Sequence, residues 1–313
     1  MASLGRRSFK VGLFLTAFDQ PWVSRAAPRW VDLVATARRA EEIGFDSLWV
    51  PDHMLIRDAE VGPFDGWEGW SLLAALAAST ERVELGPLVA CTAFRNPALL
   101  AKMADTIDEI SGGRLVLGLG TGWHEPEFHA FGYPFDRRVS RFEEAVTIIH
   151  GLLKHGQLDF EGTYHQARDC ELRPRGPRTA GPAIMIGGSG PRMLELTARF
   201  ADVWNRDFDA VNTDFEPYSA DDLSAWQVRV DAACAEVGRD PASLRRTAAV
   251  IVDLPIAPGR EGWGALTGSP EELAAGLRGY ALAGFTHVQI WLEPGTMAGI
   301  EAFAPVLEFL DRG

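Results

Sequence analysis

A chain of 313 residues that is 47% hydrophobic can bury a full core and is too apolar to stay disordered. Its formal charge of -13 argues against nucleic acid or an anionic membrane as partner, and no run approaches the ~18 apolar residues of a membrane span. Cys91, Cys170 and Cys234 lack metal-like spacing, and MASLGRRSFK has arginines with no apolar stretch behind them, so a soluble cytoplasmic chain with reduced thiols is expected.

Short β-like runs alternate with longer helical ones. VGLFLTAF (11–18) reads as a strand and WVDLVATARRAEEIG (30–44) as an amphipathic helix closed by Gly44. FDSLWVPDH (45–53) is the second strand and WSLLAALAASTE (70–81) its helix. VELGPLVACTAF (83–94) is the third strand, and its helix opens at Asn96-Pro97, a cap followed by a first-turn proline. LVLGLGTG (115–122) is the fourth, followed by one long helical segment to about His155. AIMIGGSG (183–190), DVWNRDF (202–208), RRTAAVIVD (245–253) and HVQIWLEP (287–294) complete the strands. Helices follow at PRMLELTARFA, at 221–237, at 269–285 behind Ser269, and near the end to about Leu310. Eight strands, each followed by a helix, predict one (β/α)₈ barrel over 1–313, ahead of an open doubly wound sheet. LDFEGTYHQARDCELRPRGPRTAGP (158–182) breaks the rhythm and reads as an inserted hairpin plus a Pro/Arg-rich connector.

Barrel enzymes carry their chemistry at the C-terminal ends of the strands. Those ends read Asp19, Pro51-Asp52-His53, Ala90-Cys91-Thr92, Gly120-Thr121-Gly122, Gly187-Gly188-Ser189-Gly190 and Asn205-Arg206-Asp207. Two are glycine-rich and each opens a helix, where exposed N–H groups suit a phosphate; a tight turn with no ligand is the alternative. Strand one has no His-x-His, and no GxSxG elbow is present, so a borrowed cofactor is favoured for the chemistry. Glu125 and Glu127 fall in a first helical turn, where the dipole favours acids anyway. Arg137, Arg138, Arg141, Glu143 and Glu144 read as a solvated face, and Trp123 as either pocket wall or packing.

FDSLWVPDH, GPLVACTAFRNPALLAK, SGGRLVLGLGTGWHEPEFHAFGYPF, FEGTYH and IMIGGSGPRMLELTARFADVWN, in this order, resemble the bacterial luciferase-like superfamily. The resemblance runs from Val11 to Pro294. It implies a (β/α)₈ TIM barrel with flavin- or deazaflavin-dependent oxidoreductase activity. Asp52 and His53 match the pair that lies beside the reactive ring in deazaflavin members. His53 is then the candidate acid/base, with Asp52 orienting it. Gly86 to Ala90 match a bulge with a non-prolyl cis peptide, expected at Leu88–Val89; an all-trans proline bulge is the alternative. Leu88, Val89 and Ala90 would thus back the ring. Gly120, Thr121, Gly122 and His124 match the exit that holds the cofactor tail, with His124 in place of the usual asparagine. Gly187 and Gly188, with Ser189 and Gly190, match the phosphate cradle. No tryptophan follows the Asp-His pair within Met54 to Arg57, so a sugar-phosphate substrate is not carried over.

Three functions remain open. The first is hydride transfer between coenzyme F420 and a small organic substrate. The second is a reduced-FMN monooxygenase. The third is a non-catalytic flavin-binding protein, favoured if the 158–182 insertion fills the access to the site. No metal is expected, and a homodimer is.

Overall fold

The computed structural model describes residues 7–20, 25–58, 62–64, 66–206, 220–256 and 265–312. Asp207 and Phe208, expected at the sixth strand's exit, lie outside them, as do the first six residues. The strands are β1 Lys10–Phe14, β2 Ser47–Val50, β3 Ile56–Asp58, β4 Gly62–Phe64, β5 Glu84–Pro87, β6 Ala90–Cys91 and β7 Val116–Gly120. They continue with β8 Gln157–Glu161, β9 Gln166–Glu171, β10 Ala183–Gly187, β11 Val203–Arg206, β12 Arg245–Asp253 and β13 His287–Glu293. The helices are α1 Trp30–Ile43, α2 Gly69–Ser79, α3 Pro97–Ser111, α4 Glu125–Phe131, α5 Arg138–His155, α6 Pro191–Phe200, α7 Ala220–Glu236, α8 Pro270–Leu282 and α9 Met297–Arg312.

The main sheet is parallel, in the order β5-β2-β1-β13-β12-β11-β10-β7-β6. It closes because β5 and β6 are two halves of one barrel strand. Leu85 bridges to Leu115 just ahead of β7, and Ala90 and Cys91 pair with Leu119 and Gly120. Nine segments therefore make eight staves, the expected barrel. The interruption is the Leu88–Val89 bulge, and that peptide bond is cis. Gly86 owes its identity to a neighbour: a Cβ there would come within 2.5 Å of the Trp49 ring and of the Val116 carbonyl oxygen.

Local signals set the helix ends. The Asn96 side chain accepts from the N–H groups of Ala98 and Leu99, Ser269 and Glu272 form a reciprocal capping box, and Gly44 ends α1 at φ +107°. Between Gly120 and His155 the expected single helix is two. Gly132, at φ +76°, closes α4 with its N–H on the His129 and Phe128 carbonyls, and Pro134 follows. The insertion is an antiparallel hairpin, β8–β9. Glu144 accepts from Thr163, Tyr164 and His165 at its tip, and Arg178 ties the connector to buried Asp108 at 2.9 and 2.5 Å. The solvated-face reading thus fails for Glu144, and also for Arg138, which donates to the Gly122 carbonyl and lies over the Phe135 ring. A second hairpin, β3–β4, follows β2.

The barrel floor carries a buried polar chain. Trp49 Nε1 donates to Ser47 Oγ at 2.7 Å, and Ser47 lies 2.8 Å from His287 Nε2. Burial, aided by Lys10 and the nearby arginines, pushes His287 down to about 3, so the folded state holds a neutral ring hydrogen-bonded to Ser47. Unfolded, the same histidine titrates near the ordinary 6.5. Its contribution is therefore complete above that pH and is lost as pH falls from 6.5 toward 3. At pH 5 the loss is about 2 kcal/mol. Denaturant unfolding at pH 7 and pH 5 should show that extra loss in the parent and not in His287→Leu; parallel losses would refute it.

Candidate active site

A deep cleft opens at the C-terminal end of the barrel, enclosing about 1330 Å³ with its open mouth included. Its wall includes Asp52, His53, Leu88, Val89, Gly120, Thr121, Gly122, Gly187 and Gly188, so four strand exits converge as expected. Ala90, His124, Ser189 and Gly190 are not on that wall. Ala90 is fully buried in the ladder with Leu119. His124 is buried too, its Nε2 accepting the Arg57 N–H at 2.8 Å, which fixes the hairpin side of the cleft.

The expected Asp52–His53 partnership is replaced by two others. Asp52 takes both arms of the Arg95 guanidinium at 2.7 and 2.8 Å and the Cys91 N–H at 2.9 Å. Burial raises its carboxyl above the ordinary range against the pull of Arg95 and of the Cys91 N–H. Its role is to pin the exit of β2 to that of β6. His53 is oriented instead by Glu127, whose Oε2 lies 3.0 Å from Nδ1. Glu127 is 1% exposed, and its other oxygen accepts the N–H groups of Met54 and Leu55. The helix dipole therefore does not suffice to explain Glu127: α4 delivers a buried carboxylate to the cleft, while Glu125 on the same turn faces outward toward His129 at 3.6 Å. His53 Nε2 has no partner among the described residues.

Trp123 is 43% exposed and lines the cleft, its ring 5.5 Å from that of His53. It is wall, not packing. Cys91 also reaches the cleft, but burial pushes its thiol up to about 12, which leaves it inert. Among the described residues no group of His, Cys, Asp and Glu could hold a metal ion.

The exit of β10 has the form of an anion cradle. Gly188 sits at φ +138°, and the backbone N–H groups of Gly188, Ser189 and Gly190 find no acceptor among the described residues. They lie just ahead of α6, whose N-cap is Gly190, where the helix dipole adds its positive end. Arg229 donates to the Ser189 carbonyl at 3.1 Å and stacks on Trp226, bringing a guanidinium to the loop. On the neighbouring strand, a Cβ on Gly120 would strike Val89 at 2.6 Å, so glycine at this position admits the bulged strand. A phosphate-bearing ring cofactor fits these residues: unpaired amides for the tail and a flat apolar backing at Leu88–Val89.

Residues 9–254 match the family described as luciferase-like monooxygenase. The chain belongs to that family. A pyrimidine monooxygenase, RutA, from Stutzerimonas stutzeri is 33% identical over 73% of this chain, and the match spans 64% of that relative's own length. A 5,10-methylenetetrahydromethanopterin reductase from Archaeoglobus fulgidus is 33% identical over 56% of this chain and 48% of its own. In structure, the chain is similar to an F420-dependent secondary alcohol dehydrogenase holding an F420-acetone adduct. The TM-score is 0.78 at 18% identity, covering 97% of this chain and 99% of the other. It also resembles a riboflavin lyase with modified FMN, at a TM-score of 0.74 and 16% identity over 96% and 91% of the two chains. The two sequence relatives are a monooxygenase and a reductase by name, which makes this family member an oxidoreductase, and the two structures share its barrel fold.

Proposed function

We propose that the chain is an oxidoreductase using coenzyme F420 to move a hydride to or from a small organic molecule. The observation that carries this reading is the His53–Glu127 pair on the cleft wall, facing a bulged strand and an unpaired amide cradle. The cofactor, when bound, supplies the hydride chemistry. Everything else falls to the chain. Gly188, Ser189 and Gly190 would donate N–H groups to the tail phosphate, and Leu88–Val89 would back one face of the ring. His53, held through Nδ1 by Glu127, would give a proton from Nε2 to a substrate oxygen as a carbonyl is reduced, or take it in the reverse direction. Glu127 fixes the ring and compensates its charge when protonated. Asp52 and Arg95 hold the two strand exits in register.

A reduced-FMN monooxygenase is the second reading, favoured by the name of the Stutzerimonas relative. The non-catalytic reading loses support because no residue of 158–182 is among those lining the cleft. Oxygen dependence separates the first two. Simple ketones, aldehydes and conjugated carbonyl compounds should oxidise reduced F420 in the absence of oxygen; a requirement for oxygen and reduced FMN would favour the second. No described helix is long and apolar enough to cross a membrane, and Cys91, Cys170 and Cys234 are free thiols, which supports cytoplasmic residence. A homodimer would use the α2–α3 face, where Leu99 and Ile110 are exposed.

Glu127→Gln should lower turnover by roughly ten- to a hundred-fold, the worth of a hydrogen bond to a charged group, with cofactor affinity little changed. An unaltered pH profile and turnover would remove Glu127 from the chemistry.

A further inference from the structure

The cleft has two unlike sides. Counting staves around the barrel, β13 lies opposite β7 and β1 lies opposite β10. The cofactor-side exits, Gly120 to Gly122 and Gly187 to Gly188, therefore face a wall built on β1 and β13. That wall is aromatic. Phe14 ends β1, Phe18 follows it, Phe64 comes from the β3–β4 hairpin and Trp291 from β13, and all four line the cleft. The Trp291 ring centroid is 5.6 Å from both Phe14 and Phe18, edge-on to the latter at 83°, and Phe18 is 5.8 Å from Phe64.

The wall is also held still. Trp291 Nε1 donates to Glu293 at 2.8 Å, the same oxygen accepts from Gln20 at 2.9 Å, and Gln20 in turn accepts from Arg25. Rigid aromatic faces lose little entropy on binding a flat partner. Among the described residues no Lys or Arg side chain lines the cleft, whereas the side chains of Asp52 and Glu127 border it. Among the described residues of the cleft wall, the His53 Nε2 and the Trp123 indole N–H have no partner, and their rings lie 5.5 Å apart.

We propose that the second occupant of this cleft is an uncharged, flat, largely apolar organic molecule, an aromatic or conjugated ring bearing one carbonyl or hydroxyl. Its ring packs on Phe14, Phe18, Phe64 and Trp291, and its oxygen points to His53. The proposal rests on the reading that the cofactor takes the β7 and β10 side. A carboxylate or phosphate ester finds no cation among the described residues of the wall and meets the Glu127 carboxylate behind His53, while Asp52 already holds Arg95.

Naphthaldehyde and naphthoate carry the same ring and differ in charge, so they test this directly by calorimetry on the chain with and without oxidised F420. Naphthaldehyde should bind at least tenfold more tightly than naphthoate. Trp291→Ala should weaken naphthaldehyde by on the order of tenfold and leave F420 affinity unchanged. Phe64→Arg, on the hairpin outside the barrel, should shift the preference toward naphthoate, and serves if Trp291→Ala does not fold. Equal or tighter binding of naphthoate to the parent, or indifference of both variants, overturns the proposal. F420 titration on the same protein reads the cofactor assignment separately: its failure, with naphthaldehyde still bound through Trp291, would overturn that assignment and leave the wall standing.

Discussion

Replacing Gly188 with valine is expected to abolish cofactor binding while the barrel stays folded. Gly188 holds φ +138°, a conformation a β-branched residue cannot adopt without strain. Its Cβ would also press on Met193 at 3.3 Å. The loop must then turn, and turning it withdraws the N–H groups of Gly188, Ser189 and Gly190 from a common anion. The fold should survive because the ladder ends at Gly187, paired with Asn205, and α6 begins only at Pro191. Titration with F420 and far-UV circular dichroism together check this. A folded variant with parental affinity would mean that the glycines serve the turn alone.

His53→Ala is expected to lower turnover by roughly 10²–10⁴, the usual worth of a positioned general acid or base, with a far smaller effect on cofactor affinity. Glu127 makes this assignment specific. A buried carboxylate spends one oxygen on two backbone N–H groups and the other on His53 Nδ1, so it sets the ring's orientation. Losing His53 leaves Glu127 with its backbone donors on the other oxygen. Steady-state kinetics with F420 binding measured in parallel decide the case. A loss confined to affinity would make His53 a ring contact.

The fold was legible because its signals are local. Gly44, Asn96 and Ser269 mark helix ends through their own backbone or side-chain geometry, and β12 runs from Arg245 to Asp253, the whole of the strand read there from the sequence. Gly86-Pro87 announced the irregular strand. What stayed hidden is what only tertiary contact creates. Glu127 lies 74 residues from His53, and its first-turn position had a sufficient local explanation. Asp52 beside His53 looked like a dyad, yet Arg95, 43 residues on, claims it. Phe14, Phe18, Phe64 and Trp291 look like ordinary core residues until closure of the barrel gathers them at one mouth. Gly132 was the missed signal: a glycine followed two residues later by proline divides α4 from α5.

The central claim, that this cleft holds a deazaflavin with its tail on the β10 exit, is tested most directly by titrating the purified, cofactor-free chain with F420 and with FMN, following fluorescence. The account predicts saturable, submicromolar binding of F420 that is lost in Gly188→Val, with FMN weaker. Submicromolar binding of FMN with no binding of F420 would contradict it.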